Sequence, residues 1–144
     1  MQTYNSLYKV DPVLRDESDR KALIKGLEDG IIDCIASHHR PKDWDAKTKE
    51  YEYAEAGMIT QETLWSMLLA AAPNISPERW SQLLTENPRA IFGLKNPTIE
   101  KDSETKLTVF DTNTTWKYEV SMKQSLGINS PLLGQELKGL VYEF

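Results

Sequence analysis

Apolar positions first recur at helical spacing between Ser18 and Asp29, where Ala22, Leu23 and Leu27 form one stripe. Asp16 or Ser18 can cap that helix, acidic residues fill its first turn, and Gly30 supplies the stop. Upstream, residues 1–15 read as irregular chain. They end in the extended stretch Tyr8 to Arg15, where Pro12 biases Asp11 away from the helical region and marks a strand end running into a loop. After Gly30, Ile31-Ile32-Asp33-Cys34-Ile35-Ala36 is a mostly apolar run of strand length. A helix feeding directly into a strand buried on both faces is the pattern of a parallel α/β sheet.

The polar stretch Ser37-His38-His39-Arg40-Pro41-Lys42-Asp43 follows that strand's C-terminal end, where parallel sheets and barrels carry ligand chemistry. Residues 43–58 read as a charged loop. From Gln61 to Ala72 a second helix aligns Leu64, Leu68 and Ala71, with Trp65 and Leu69 widening the stripe. Ser76-Pro77-Glu78 places a cap before a proline at the first helical position and predicts a third helix to about Thr85. Asn87-Pro88 repeats the device for a short helix ending at Gly93.

The periodicity then changes from helical to alternating. Residues 106–111, 115–120 and 137–144 read as strands, with a turn over Asp111–Thr114, so the tail is a small antiparallel β unit. No internal repeat or low-complexity tract interrupts the chain. It offers one clear strand of a parallel sheet, whereas a complete barrel needs eight strands and about 250 residues. It reads as the end of something larger.

Composition narrows the function classes. The chain has 144 residues, 17 Lys+Arg and 22 Asp+Glu, for a formal net charge of −5, with 40% hydrophobic and 27% charged residues. That suits one compact domain or a piece of a larger one. Mild acidity argues against a dedicated nucleic-acid binder. No apolar run reaches the roughly 18 residues of a membrane span, and Met1-Gln2-Thr3-Tyr4 opens no signal peptide. A single cysteine, Cys34, excludes intramolecular disulfides and Cys-rich zinc sites, so the expected location is cytoplasmic and reducing.

Few side chains stand out as chemistry on spacing alone. His38-His39 lacks a nearby third ligand and reads as a loop feature, with metal binding as the sharper alternative. Cys34 reads as a packed hydrophobe rather than a nucleophile. Asp43 and Asp45 read as solvated loop carboxylates, Lys47 to Glu50 as a solvated charge run, and Trp65, Trp80 and Trp116 as packing residues. The glycines form no phosphate loop.

The run Lys9-Val10-Asp11-Pro12-Val13-Leu14-Arg15, followed by Gly26-Leu27-Glu28-Asp29-Gly30-Ile31-Ile32-Asp33-Cys34-Ile35-Ala36, resembles the C-terminal part of dihydroorotase in the amidohydrolase superfamily. The family pattern is K-x-N-P-P-L-R, a helix, then G-L-x-D-G-x-I-D-x-I-A-[ST]-D-H-A-P-H. The likeness continues through Tyr53-Ala54-Glu55-Ala56-Gly57, Glu62-Thr63, Glu86 to Leu94, Leu107 to Asp111 and Ser130 to Gly139, covering nearly the whole chain in order. It implies an α/β fold: the last strands and helices of a TIM barrel over residues 1–95, and the C-terminal share of a small β-sandwich domain over residues 96–144. It also implies a zinc-dependent hydrolase that interconverts dihydroorotate and N-carbamoyl-aspartate in pyrimidine biosynthesis. The family's metal-binding histidines come mainly from earlier strands, so this segment is expected to hold no zinc and to be unable to catalyse alone.

The departures from the family pattern fall on chemistry. His38 stands where the family has the aspartate that binds metal and moves the proton, and is both the catalytic-position and the metal-ligand candidate. An imidazole is longer and cannot shuttle that proton in the same geometry. Lys42 replaces a substrate-contacting histidine. Asp11 replaces a substrate-contacting asparagine and would face a dianionic substrate unfavourably unless paired with Lys42 or Arg40. Gly57 keeps the family's backbone contact to the substrate ring, with Ala56 beside it. His39 keeps the family's histidine and is expected to orient the loop.

The resemblance leaves three readings. One is the C-terminal segment of a working dihydroorotase. The second is an inactive homologue with a structural role, such as a partner of aspartate transcarbamoylase. The third is a related cyclic-amide hydrolase with altered substrate choice. In each, exposed barrel edges are expected to associate with an N-terminal barrel portion or with another copy of the chain.

Overall fold

The computed structural model of the chain describes residues 4–102 and 104–143. The start at Met1–Thr3 and the expected strand end at Phe144 lie outside them. Residues Glu17–Glu28 form α1, capped by Asp16, whose carboxylate accepts from the backbone N–H groups of Ser18 and Asp19 at 2.9 and 3.0 Å. At the other end Arg79 donates from Nε to the Leu27 carbonyl at 3.0 Å and from Nη2 to the Ile32 carbonyl at 2.9 Å. The first bond serves a carbonyl that the helix terminus leaves without an internal donor, and the second ties the chain just beyond the helix to the same guanidinium.

The buried side of α1 differs from the expected stripe. Ile24 and Leu27 face the core, whereas Ala22 is exposed and Leu23 is 57% exposed. The helix is apolar on two faces, and nothing in the described chain covers the second. The apolar run at residues 31–36 forms no strand, because parallel pairing needs neighbours that the described chain does not supply. Ile31 is 74% exposed, and Ile35 donates to the Leu83 carbonyl instead of to a ladder. Nor is there a strand near Tyr8. A single 3₁₀ turn, Ser6–Tyr8, stands there, capped by Asn5.

The charged loop contains one helical turn, α2, Trp44–Lys47. A 3₁₀ turn at Gln61–Thr63 leads into α3, Leu64–Ala71. Trp65 and Ser66 are its buried residues, Leu64, Leu68 and Leu69 are half-buried, and Ala71 is exposed, against the expected stripe. Ser76 caps α4, Pro77–Ser81, accepting from the Arg79 N–H at 3.2 Å, as the cap-and-proline signal predicts. Asn87 does not start a separate helix. A π-turn over Gln82–Glu86 carries α4 straight into α5, Asn87–Ile91. Pro88 has no N–H to donate, and the widened turn before it lets the helix pass.

The tail is one antiparallel pair, β1 Thr108–Lys117 and β2 Glu136–Glu143. The expected turn over Asp111–Thr114 is a bulge inside β1. Asp111 pairs with Leu140 and Thr115 with Lys138, so four steps along β1 match two along β2. The Asp111 carboxylate holds the bulge by accepting from the N–H groups of Asn113 and Thr114 and from the Thr114 hydroxyl. Beyond Lys117 the chain leaves the ladder, and Val120 begins a 3₁₀ turn rather than ending a strand.

Helix α3 packs on β2. Ser66 Oγ and Trp116 Nε1 both donate to the Gly139 carbonyl at 2.7 Å, and Trp65 Nε1 donates to the Asp111 carbonyl at 3.1 Å. Trp65 stacks on Phe110 with centroids 4.5 Å apart and meets Trp80 edge-on at 5.9 Å. With Ala72, Ile75 and Leu83 these tryptophans form the core, which joins α1, α3, α4 and the β pair. No helix among the described residues is long and apolar enough to cross a membrane.

Candidate functional site

Three segments meet: Lys9–Asp11, His38–Lys42 and Glu55–Met58. Gly57 donates its N–H to the Lys9 carbonyl at 2.9 Å, and Arg40 donates its N–H to the Met58 carbonyl at 2.9 Å. His38, held at φ 51°, closes the triangle by donating from Nε2 to the Asp11 carbonyl at 2.5 Å. Asp11, His38, Lys42, Ala56 and Gly57 are therefore brought together.

Their side chains are differently engaged. The Asp11 carboxylate is exposed and lies 4.0 Å from Arg40 Nη1, a contact worth little between two solvated groups. Lys42 does not reach Asp11. It pairs with Glu55 at 2.5 Å, and its hydrogen bond and charge hold the Glu55 carboxyl below its ordinary range. Gly57 sits at φ 152°, and a side chain there would begin 2.8 Å from the Arg40 carbonyl oxygen. Only glycine lets residues 40 and 57 approach so closely.

Lys47 departs most from the sequence reading. It is 5% exposed rather than solvated, and its ammonium donates to the carbonyls of Glu55, Gly57 and Lys9 at 2.9, 3.1 and 3.3 Å. Burial pushes its pKa below the ordinary lysine value, with the charges of Lys9 and Lys42 adding and Glu55 opposing. Its neighbours Lys49 and Glu50 are exposed as expected.

Sequence reasoning also missed Asn129, which is fully buried. Its Oδ1 accepts from the Lys42 N–H and its Nδ2 donates to the Arg40 carbonyl, both at 3.0 Å, clipping the loop after Tyr118 onto the site. The cluster Gly127-Ile128-Asn129-Ser130-Pro131 announces a turn, and nothing in it announces this long-range contact. Glu62 anchors the same loop. It accepts from the Tyr118 hydroxyl and from the N–H groups of Gln124 and Ser125 at 2.8 and 2.6 Å. Burial alone would raise its pKa, but the Tyr118 hydroxyl and those two N–H groups outweigh it and leave the value lowered. His39 Nδ1 accepts from the N–H groups of Thr60 and Gln61 at 3.1 and 3.2 Å, fastening the loop to the start of α3.

Among the described residues, no three His, Cys, Asp or Glu side chains gather as a metal site requires. The donor set near His38 does not by itself fit a zinc ion. What this arrangement does on its own is fix three loops and present Asp11, Arg40 and the Lys42–Glu55 pair to solvent.

No protein-family model matches the chain. Curated relatives do. A dihydroorotase of Elusimicrobium minutum is 34% identical over 143 residues, covering 97% of this chain and 33% of the relative, and one of Ehrlichia chaffeensis is 35% identical over 143 residues, covering 98% and 32%. Solved structures with the same fold include a D-hydantoinase (dihydropyrimidinase) from a Thermus species, at TM-score 0.78 and 22% identity over 94% of this chain and 31% of that one. An L-hydantoinase from Arthrobacter aurescens superposes at TM-score 0.77 and 23% identity, over 97% and 34%. The chain spans about a third of the length of the curated relatives it matches. From the Lys9–Arg15 motif to β2, it corresponds to the C-terminal third of dihydroorotases and belongs with them in the amidohydrolase superfamily.

Proposed function

We propose that the chain is the C-terminal part of a cytoplasmic, dihydroorotase-like protein of pyrimidine biosynthesis, with its barrel-derived share over residues 1–95 and its β-domain share over 96–144. Opening a cyclic amide with water needs a base placed against the attacking oxygen and an acid for the departing nitrogen. On the resemblance, zinc held by histidines of other strands would help activate the attacking water, and the family's aspartate at the position of His38 would handle the proton. The observation that carries our reading is the bond from His38 Nε2 to the Asp11 carbonyl. It commits Nε2 to holding a loop carbonyl, and that nitrogen is then not a base. The segment alone then does not hydrolyse dihydroorotate, and any zinc is held by histidines from elsewhere.

A second reading follows from the same site. Hydrogen bonds hold the three loops together, while on the resemblance Asp11, His38 and Lys42 stand where the family has its chemistry-bearing residues. That pattern favours a structural role beside an active partner, with aspartate transcarbamoylase as the example from the family. The test is zinc-dependent turnover of dihydroorotate by the polypeptide that carries this segment, beside its His38→Asp variant. We expect silence from the folded protein and recovery in the variant. Turnover by the unmodified protein overturns the inactive reading, and silence in both leaves the structural role as the conclusion.

A further inference from the structure

Lys47 is the only buried charged side chain among the described residues. Its three partners, the carbonyls of Lys9, Glu55 and Gly57, offer lone pairs and no proton. Reaching all three at once takes three N–H bonds. An ammonium has three N–H bonds, and a neutral amine has two. The arrangement is that of a small cation in an oxygen cage, with the cation tethered to the chain.

The tether is itself fixed. Ser6 Oγ donates to the Lys47 carbonyl at 2.5 Å, and the Glu55 N–H donates to the Ala46 carbonyl at 2.9 Å. Lys9 reaches the other way, donating from Nζ to the carbonyls of Tyr51 and Glu52, each at 2.8 Å. Two lysines thus lace the same pair of segments in opposite directions, one buried and one at the rim. Among the described residues no carboxylate is bonded to the Lys47 ammonium: the Glu55 carboxylate is bonded to Lys42, and the Glu55 carbonyl turns inward.

We propose that Lys47 is an internal cation that sets the spacing between the Asp11-bearing and Gly57-bearing segments. The three carbonyls around it form a cradle that accepts a free primary ammonium ion once the side chain is removed. The inference rests on this geometry and not on whether the site catalyses.

The experiment uses Lys47→Ala and Lys47→Met, with ethylammonium and tetramethylammonium chloride as probes at equal ionic strength. Both variants are expected to lose about 5 °C or more in Tm, because the Glu55 and Gly57 carbonyls lose the ammonium donor and the Lys9 carbonyl keeps only the Gly57 N–H. The Gly57 amide, which bonds to the Lys9 carbonyl, is expected to exchange several-fold faster in both. Ethylammonium, which has N–H donors, is expected to restore Tm in Lys47→Ala, whereas tetramethylammonium, which has none, is not. If Lys47→Ala does not fold in plain buffer, recovery of its circular dichroism by ethylammonium alone is the expected result. Equal effects of the two ions, no recovery by either, or an unchanged Lys47→Met overturns the proposal.

Discussion

His38 and Asp11 are joined through the imidazole Nε2 of one and the backbone carbonyl of the other, 2.5 Å apart, across 27 residues of sequence. The bond draws the start of the chain onto the polar loop that follows α1 and residues 31–36. It gives His38 a structural duty that sequence spacing does not reveal.

Two terms act at this position and can be separated. Removing the imidazole costs the hydrogen bond, about 1 kcal/mol. The backbone at φ 51° carries a strain of about 1 kcal/mol that histidine and alanine share and glycine does not incur. His38→Gly should therefore be the milder variant and His38→Ala the harsher. Chemical denaturation of both checks the order.

Asn129→Ala should be more damaging than its surroundings in a loop suggest. The side chain is fully buried and serves both the Lys42 N–H and the Arg40 carbonyl, so its loss leaves two backbone groups without their partner. We expect a loss of about 2–4 kcal/mol in urea unfolding. The Lys42 amide should also lose protection from hydrogen exchange.

Glu62 predicts how stability falls in acid. Its pKa is lower folded than unfolded, so its contribution is fully present above the unfolded carboxyl value, about 4.3. That contribution is lost as pH falls through the folded value. Glu62→Gln should cost about 1–3 kcal/mol at neutral pH and flatten the decline below pH ~4. Unfolding midpoints measured from pH 3 to 7 in both proteins test this.

Gly139 lies where β2 meets α3. It has φ 92°, and a side chain would run into the Leu69 side chain and begin 3.2 Å from Trp65 Nε1. Gly139→Ala combines backbone strain with overpacking and should cost about 2–4 kcal/mol. Near-ultraviolet circular dichroism, which reports on the packed tryptophans, should change with it.

Local signals were the ones legible in the sequence. Asp16 and Ser76 cap their helices because a cap needs only its next three residues, and Trp65 and Trp80 pack in the core as their positions in their elements suggest. Residues 31–36 show the opposite case. Their composition is that of a buried strand, but a strand exists only through neighbours, and the described residues supply none. Asn87-Pro88 carries a helix-start signal that the preceding π-turn overrides. Lys47 looks solvated beside Lys49 and Glu50, because the carbonyls that bury it come from 38, 8 and 10 residues away and carry no sequence mark. The motifs at 9–15 and 26–36 named the family, and side-chain engagement within the site required the fold.

The bulge in β1 makes that strand tolerant of a change in length. Two residues are surplus between Asp111 and Thr115, an even number, so side chains before and after the bulge keep their faces. Excising Thr112 and Asn113 together would close the ladder in phase, whereas excising one alone would turn half the strand inside out. This short stretch can therefore gain or lose residues in pairs while Phe110 and Trp116 both stay on the side that meets α3.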